Sequence, residues 1–303
     1  MYSKTSIGGS KVTGGPRFFE GERILVLVGL FGLLLALLLR LPILMNGPLV
    51  APEGNLESAF SFDAALGLYV LSFAAFMPLS GMSEKGLRRL RAIFVPGALY
   101  AFLIETIQHL RGINPRFSKA GSDMDGVFGL LFGVDSLLLI LVAVFAAIPF
   151  FRSRPAGDRT LPVLGIRYAF VSTMLAFAAG LGMIALQSRY LGSSGNLMVL
   201  HGLGFHALQT LPLLGWLLER EGGHSPQARR LLHTGGIAWN LAVVLVGLQT
   251  LRGVTVFEIS FLPVLAVILL LVWAAAAALS LLIWWKGRPW GGGRAGARAG
   301  RAS

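Results

Sequence analysis

Two short segments hold most of the residues able to do chemistry. The first, Glu105-Thr-Ile-Gln-His-Leu-Arg-Gly112, carries a carboxylate, an amide, an imidazole and a guanidinium. Separations of three, four and seven residues return to one face of a helix, so Glu105, Gln108, His109 and Gly112 share a narrow arc with Arg111 at its edge. Such an arc could bind a polar ligand or hold and pass a proton. The second segment, His201-Gly-Leu-Gly-Phe-His206, sets two imidazoles five residues apart. They stand about 140° apart around a helix, with Gln209 between them in projection. Neutral imidazole suits haem iron, zinc or copper. One helix supplying two ligands to an ion normally spaces them by three or four residues, so at most one of His201 and His206 is expected on any given ion. The intervening glycines permit close approach of another helix or a flat ligand. With no cysteine in the chain, thiolate metal sites, iron-sulfur clusters and disulfides are excluded.

The elements that must position these residues are membrane helices. The chain is 55% hydrophobic and 13% charged, more apolar surface than a soluble core absorbs. A bilayer core about 30 Å thick needs roughly 20 apolar residues per helix. Eight stretches qualify: 24–45, 58–81, 92–111, 125–151, 161–190, 196–219, 230–251 and 258–285. The first is too long for the apolar core of a secretory signal and lacks a small-residue cleavage site, so it reads as a retained span. The expected fold is an all-α, polytopic transmembrane bundle of about eight spans.

The net charge of +12 follows the loops rather than one soluble face, which argues against nucleic acid as a partner. Assigned to alternate sides, nineteen Lys and Arg fall on the side of the termini and five on the other. By the positive-inside rule both termini are cytoplasmic, and the expected location is the cytoplasmic (inner) membrane of a bacterium. The chain divides into a polar segment 1–23, a four-span half 24–151, a second four-span half 152–285, and a basic tail 286–303 expected to be disordered.

Shifting the chain by 141 residues lays the first three spans on the fifth to seventh without a gap. Arg88-Arg89-Leu90 falls on Arg229-Arg230-Leu231, and Gln-x-Leu-Arg-Gly at 108–112 on the same pattern at 249–253. An internal duplication would give two halves of equal orientation, a 4+4 parallel repeat. Chance is the competing explanation, because Arg pairs, leucines and glycines match readily in membrane sequences.

The intramembrane polar residues lie mostly in the outer half. At about 1.5 Å per residue, Glu105 sits roughly 9 Å below the outer end of its span, and Asp135 and His206 near the midplane. A lipid-exposed carboxylate costs several kcal/mol, so Glu105, Asp63 and Asp135 should turn inward to partners, around a polar site open to the outside. Glu105, Gln108, Arg111, Asp135 and Gln209 are the candidate ligand or proton-site residues, and His201 or His206 the candidate metal ligand. Asp123 and Asp125 read as caps of the fourth span.

The segments 105–117 and 201–216, the latter continuing His206-Ala-Leu-Gln-Thr-Leu-Pro212, resemble a group of uncharacterised bacterial multi-span integral membrane proteins. That resemblance covers about 30 residues and implies membrane location but no reaction. Walker A, dinucleotide-binding, His-Glu-x-x-His and nucleophile-elbow patterns are absent. Three functions remain open: a metal- or haem-binding membrane protein, a redox component included; a proton-coupled transporter of a small solute; or a non-catalytic membrane subunit or scaffold. The small-molecule or ion ligand and the oligomeric state are not specified by the sequence.

Overall fold

A computed structural model describes residues 16–116, 118–152, 159–220 and 225–286. Among them stand eight helices long and apolar enough to cross a membrane. They are α1 (Arg23–Asn46), α2 (Leu56–Phe76), α3 (Glu84–Leu110), α4 (Asp123–Arg152), α5 (Thr160–Leu186), α6 (Leu197–Arg220), α7 (Pro226–Leu251) and α8 (Phe261–Lys286). Leucines on α1, α4 and α8 remain broadly exposed, the surface that a multi-pass membrane protein presents to lipid. His224 and the expected disordered tail, beyond Lys286, lie outside the described residues.

The helix ends follow local chemistry. Ser83 caps α3 by accepting from the Gly86 N–H, so that helix begins eight residues before its apolar stretch. Ser225 does the same for α7 through the Ala228 N–H. The apolar run of the fifth span continues to residue 190, but α5 stops at Leu186, where Gln187 turns left-handed at φ +50°. The chain then enters an element with no signal in the apolar pattern: a miniature β-hairpin.

There are two such hairpins among the described residues. β1 (Leu49–Val50) pairs antiparallel with β2 (Gly54–Asn55) between α1 and α2, and β3 (Tyr190–Leu191) with β4 (Gly195–Asn196) between α5 and α6. Every strand residue of the second stands 141 positions after its counterpart. So do their hydrogen bonds: Glu53 N–H to the Gly112 carbonyl at 2.8 Å, Ser194 N–H to the Gly253 carbonyl at 2.9 Å; Leu56 N–H to Pro48, Leu197 N–H to Arg189. Each hairpin delivers the chain to an asparagine N-cap. Asn55 Oδ1 accepts from the N–H groups of Glu57 and Ser58, and Asn196 Oδ1 from that of Met198. Asn55→Ala should lower stability by about 1 kcal/mol, read from the unfolding midpoint in detergent, while Asn55→Asp should be near neutral.

Within each half the first two helices pack most tightly. In the second half this requires glycine, since a Cβ at Gly165 or Gly215 would overlap the backbone carbonyls of Leu211 or Leu161. The halves meet through an aromatic core in which Phe73 and Phe76 of α2 contact Phe170 of α5, itself against Phe150 of α4. Polar bonds cross as well, Gln209 Nε2 to Ser72 Oγ at 2.7 Å and Arg167 Nε to the Phe150 carbonyl at 2.6 Å. On the side of the termini, Arg91 grips the buried Glu22 through two hydrogen bonds.

Candidate functional site

The hairpin-side third of α3 turns one face inward and one outward. Leu103, Ile107 and Leu110 are exposed, whereas Glu105, Thr106, Gln108 and His109 are buried. The expected arc is therefore the inward face, with Arg111 half-exposed at its edge.

Two polar networks grow from this face. In the inner one, His109 Nδ1 accepts from the backbone N–H of Asn55 at 3.1 Å. An acceptor at Nδ1 sets the neutral tautomer, with the hydrogen on Nε2, which lies 3.3 Å from Glu105 Oε1. Glu105 Oε2 is 2.8 Å from Arg116 Nη2. The Arg116 guanidinium also sits over the rings of Phe62 and Phe132, 5.1 and 5.4 Å from their centroids. Next to Glu105 on the chain, Thr106 donates its hydroxyl to Asp63 Oδ2 of α2 at 2.6 Å. Asp63 Oδ1 is buried without a hydrogen-bond partner among the described residues. Of these two fully buried carboxylates, Glu105 is paired with the arginine and Asp63 is held by the threonine.

The outer network centres on Asp125. Its Oδ1 accepts from Gln108 Nε2 and Arg111 Nη1, at 3.0 and 2.7 Å. Its Oδ2 accepts from the backbone and hydroxyl of Ser122. Ser122 Oγ in turn receives the Asp125 N–H at 3.4 Å, the reciprocal pattern of a capping box. Ser122 therefore takes the cap position expected of an aspartate, and Asp125 ties the start of α4 to the end of α3.

Arg116 arrives on the connection 111–122, which Glu53 holds down. Glu53 Oε1 accepts from the Lys119 N–H at 2.8 Å; Oε2 accepts from the Ser118 hydroxyl and the Asn114 N–H. The Ser118 hydroxyl, first, and the backbone N–H groups hold the Glu53 carboxyl below the ordinary glutamate value of 4.5. A carboxyl lowered in the fold keeps its hold above that value and loses it as acid protonates it. A spin label at residue 120 should therefore gain mobility as pH falls below the ordinary glutamate range, and should already be mobile at neutral pH in Glu53→Ala. A spectrum independent of pH in the parent protein would show that Glu53 does not hold the loop.

The remaining candidates lie elsewhere. Asp135 of α4 is half-buried against Gly97 of α3, with Oδ2 unpartnered among the described residues. Gln209 is engaged with Ser72. His201 donates Nδ1–H to the Ala176 carbonyl at 2.8 Å and stacks edge-on to Phe205, while His206 is exposed. Among the described residues no three His, Asp or Glu gather as a metal-binding group. Four members of the cluster are not singled out by residue type and spacing: Glu53, Asn55, Thr106 and Arg116. Only Arg116 carries a signal, in the Asn-Pro-Arg at 114–116.

Fold and site together define a multi-pass α-helical membrane protein with a buried acid–imidazole–arginine cluster near the hairpin face. No family model, curated protein or solved structure matches this chain.

Proposed function

We propose that this protein binds and releases protons at the Asp63–Glu105 pair and couples that exchange to movement of a small solute. The carrying observation is the charge count of the inner network. The buried Glu105 is paired with one guanidinium, while the buried Asp63 has only a hydroxyl donor and the imidazole's Nδ1 is already an acceptor, so full ionisation leaves a net negative charge out of water. A proton on the pair removes it. Arg116 is partly exposed, which opens this exchange to the hairpin side.

The 141-residue correspondence of hairpins, caps and carbonyl bonds supports reading the halves as a parallel duplication, related by an axis along the membrane normal. With the basic loops inside, the site faces outward across a bacterial inner membrane, and both termini are cytoplasmic.

The test is proton flux in liposomes carrying an internal pH indicator. The parent protein should dissipate an imposed pH gradient, and Glu105→Gln and Asp63→Asn should not. Infrared titration in lipid should show one carboxyl band that responds to pH and is lost in either variant. Flux unchanged by both substitutions would overturn the reading.

One observation favours a second function, haem or metal binding. His201 gives its Nδ1 hydrogen to a backbone carbonyl, which leaves Nε2 with a lone pair in the manner of an oriented metal ligand. A Soret band or stoichiometric metal lost in His201→Ala would support it; a colourless, metal-free folded protein would dismiss it.

A further inference from the structure

Beside the second hairpin lies an open groove of about 360 Å³, between β3–β4 and the segment 254–257. We propose that it binds the ester region and upper acyl chain of a membrane phospholipid. This inference is independent of the acid site.

The chemistry of the walls points to such a ligand. Ser194 Oγ accepts from the Thr255 N–H, Thr255 Oγ1 from the Phe257 N–H, and Asn196 Oδ1 from the Met198 N–H. Each group is held by one accepted backbone bond and carries hydrogens of its own to donate. Ester carbonyl and phosphate oxygens only accept. Val199, Val256 and Phe257 supply apolar wall for a hydrocarbon chain, and no lining side chain is charged. At the rim, the Arg189 guanidinium lies over the Tyr190 ring, 5.0 Å from its centroid, where a phosphate would meet a cation. Phe257 of the wall and the following Ile259 and Phe261 are 85%, 92% and 76% exposed, apolar surface suited to lipid tails.

The first half is built differently beside its own hairpin. Its α3–α4 connection spans 111–122, whereas the α7–α8 connection spans 252–260, three residues shorter. The longer loop folds Ser118 and Lys119 onto Glu53 and sends Arg116 inward to Glu105. At the positions 141 residues on stand Ser194, which has no charge to gather a loop, and Phe257, which points out.

The experiment uses the full chain in nanodiscs containing phosphatidylethanolamine with a diazirine high on one acyl chain, followed by digestion and mass spectrometry. Adducts should be enriched several-fold at 190–199 and 254–257 over the corresponding 49–58 and 113–116. Val199→Trp, which fills the groove, should abolish the enrichment at an unchanged melting temperature. Thr255→Trp gives the same reading if that variant does not fold, and Arg189→Ala should weaken labelling. Equal labelling of both hairpins, or enrichment that survives groove filling, would overturn the proposal. So would displacement by free fatty acid but not by unlabelled phosphatidylethanolamine, which would assign the groove to a single chain.

Discussion

Arg116→Ala is expected to destabilise the protein by about 3–5 kcal/mol, the cost of leaving a buried charge without its partner. Glu105 is fully buried, and the neutral His109 and the Asp63 carboxyl near it offer no compensating positive charge. Without the guanidinium, Glu105 must take up a proton or draw in water, and the loop that Arg116 anchors loses its inner contact. The double variant Arg116→Met/Glu105→Gln should recover most of the loss, because neither partner then stays charged in the dry interior. Unfolding in detergent by a graded denaturing surfactant reads all three proteins. Additive costs across that cycle would show that the two side chains are not coupled.

The second large effect is expected at Gly112, where the chain leaves α3. Its φ of +77° already disfavours any other residue, and an added Cβ would overlap the Ala51 carbonyl of the first hairpin. Strain and overlap together should cost Gly112→Ala about 3 kcal/mol or more. Gly81 is the internal control. It is also left-handed, at φ +69°, but nothing lies within reach of a Cβ. Gly81→Ala should therefore cost only about 1–2 kcal/mol, the backbone contribution alone. Equal losses at the two glycines, measured by the same unfolding assay, would mean that hairpin contact contributes nothing.

Much of the architecture is legible in the sequence because lipid imposes a length and a composition on every span, and the eight apolar stretches answer to both. The inward arc of α3 is legible for a related reason: Glu105, Gln108 and His109 recur at helical spacing on a helix whose other positions are apolar. The hairpins are not, since two-residue strands leave no period, and the apolar run of the fifth span simply continues into residues 187–190. Nor does spacing along α3 reveal which groups complete its network. Asn55 acts through its backbone N–H, a group every residue but proline has. Arg116 looks like a loop charge until its connection is folded back by Glu53. The two histidines of α6 are conspicuous by type, yet helical rotation sends them in different directions, and one of them ends on the exposed surface.

Burial of the acids also bears on how the chain enters the bilayer. Asp63 and Glu105 sit on successive helices, α2 and α3, and find their partners only after both helices, the first hairpin and the 111–122 connection have met. During synthesis α2 must therefore leave the insertion machinery with its carboxylate unmatched. The tight hairpin sets it antiparallel to α1, the more apolar helix ahead of it (mean hydropathy 2.8 against 1.6), so entry of the two as one unit is the expected way to offset that cost. The second half repeats the device, with apolar α5 leading α6. Each hairpin would thus set an order of assembly as well as clamp the finished protein.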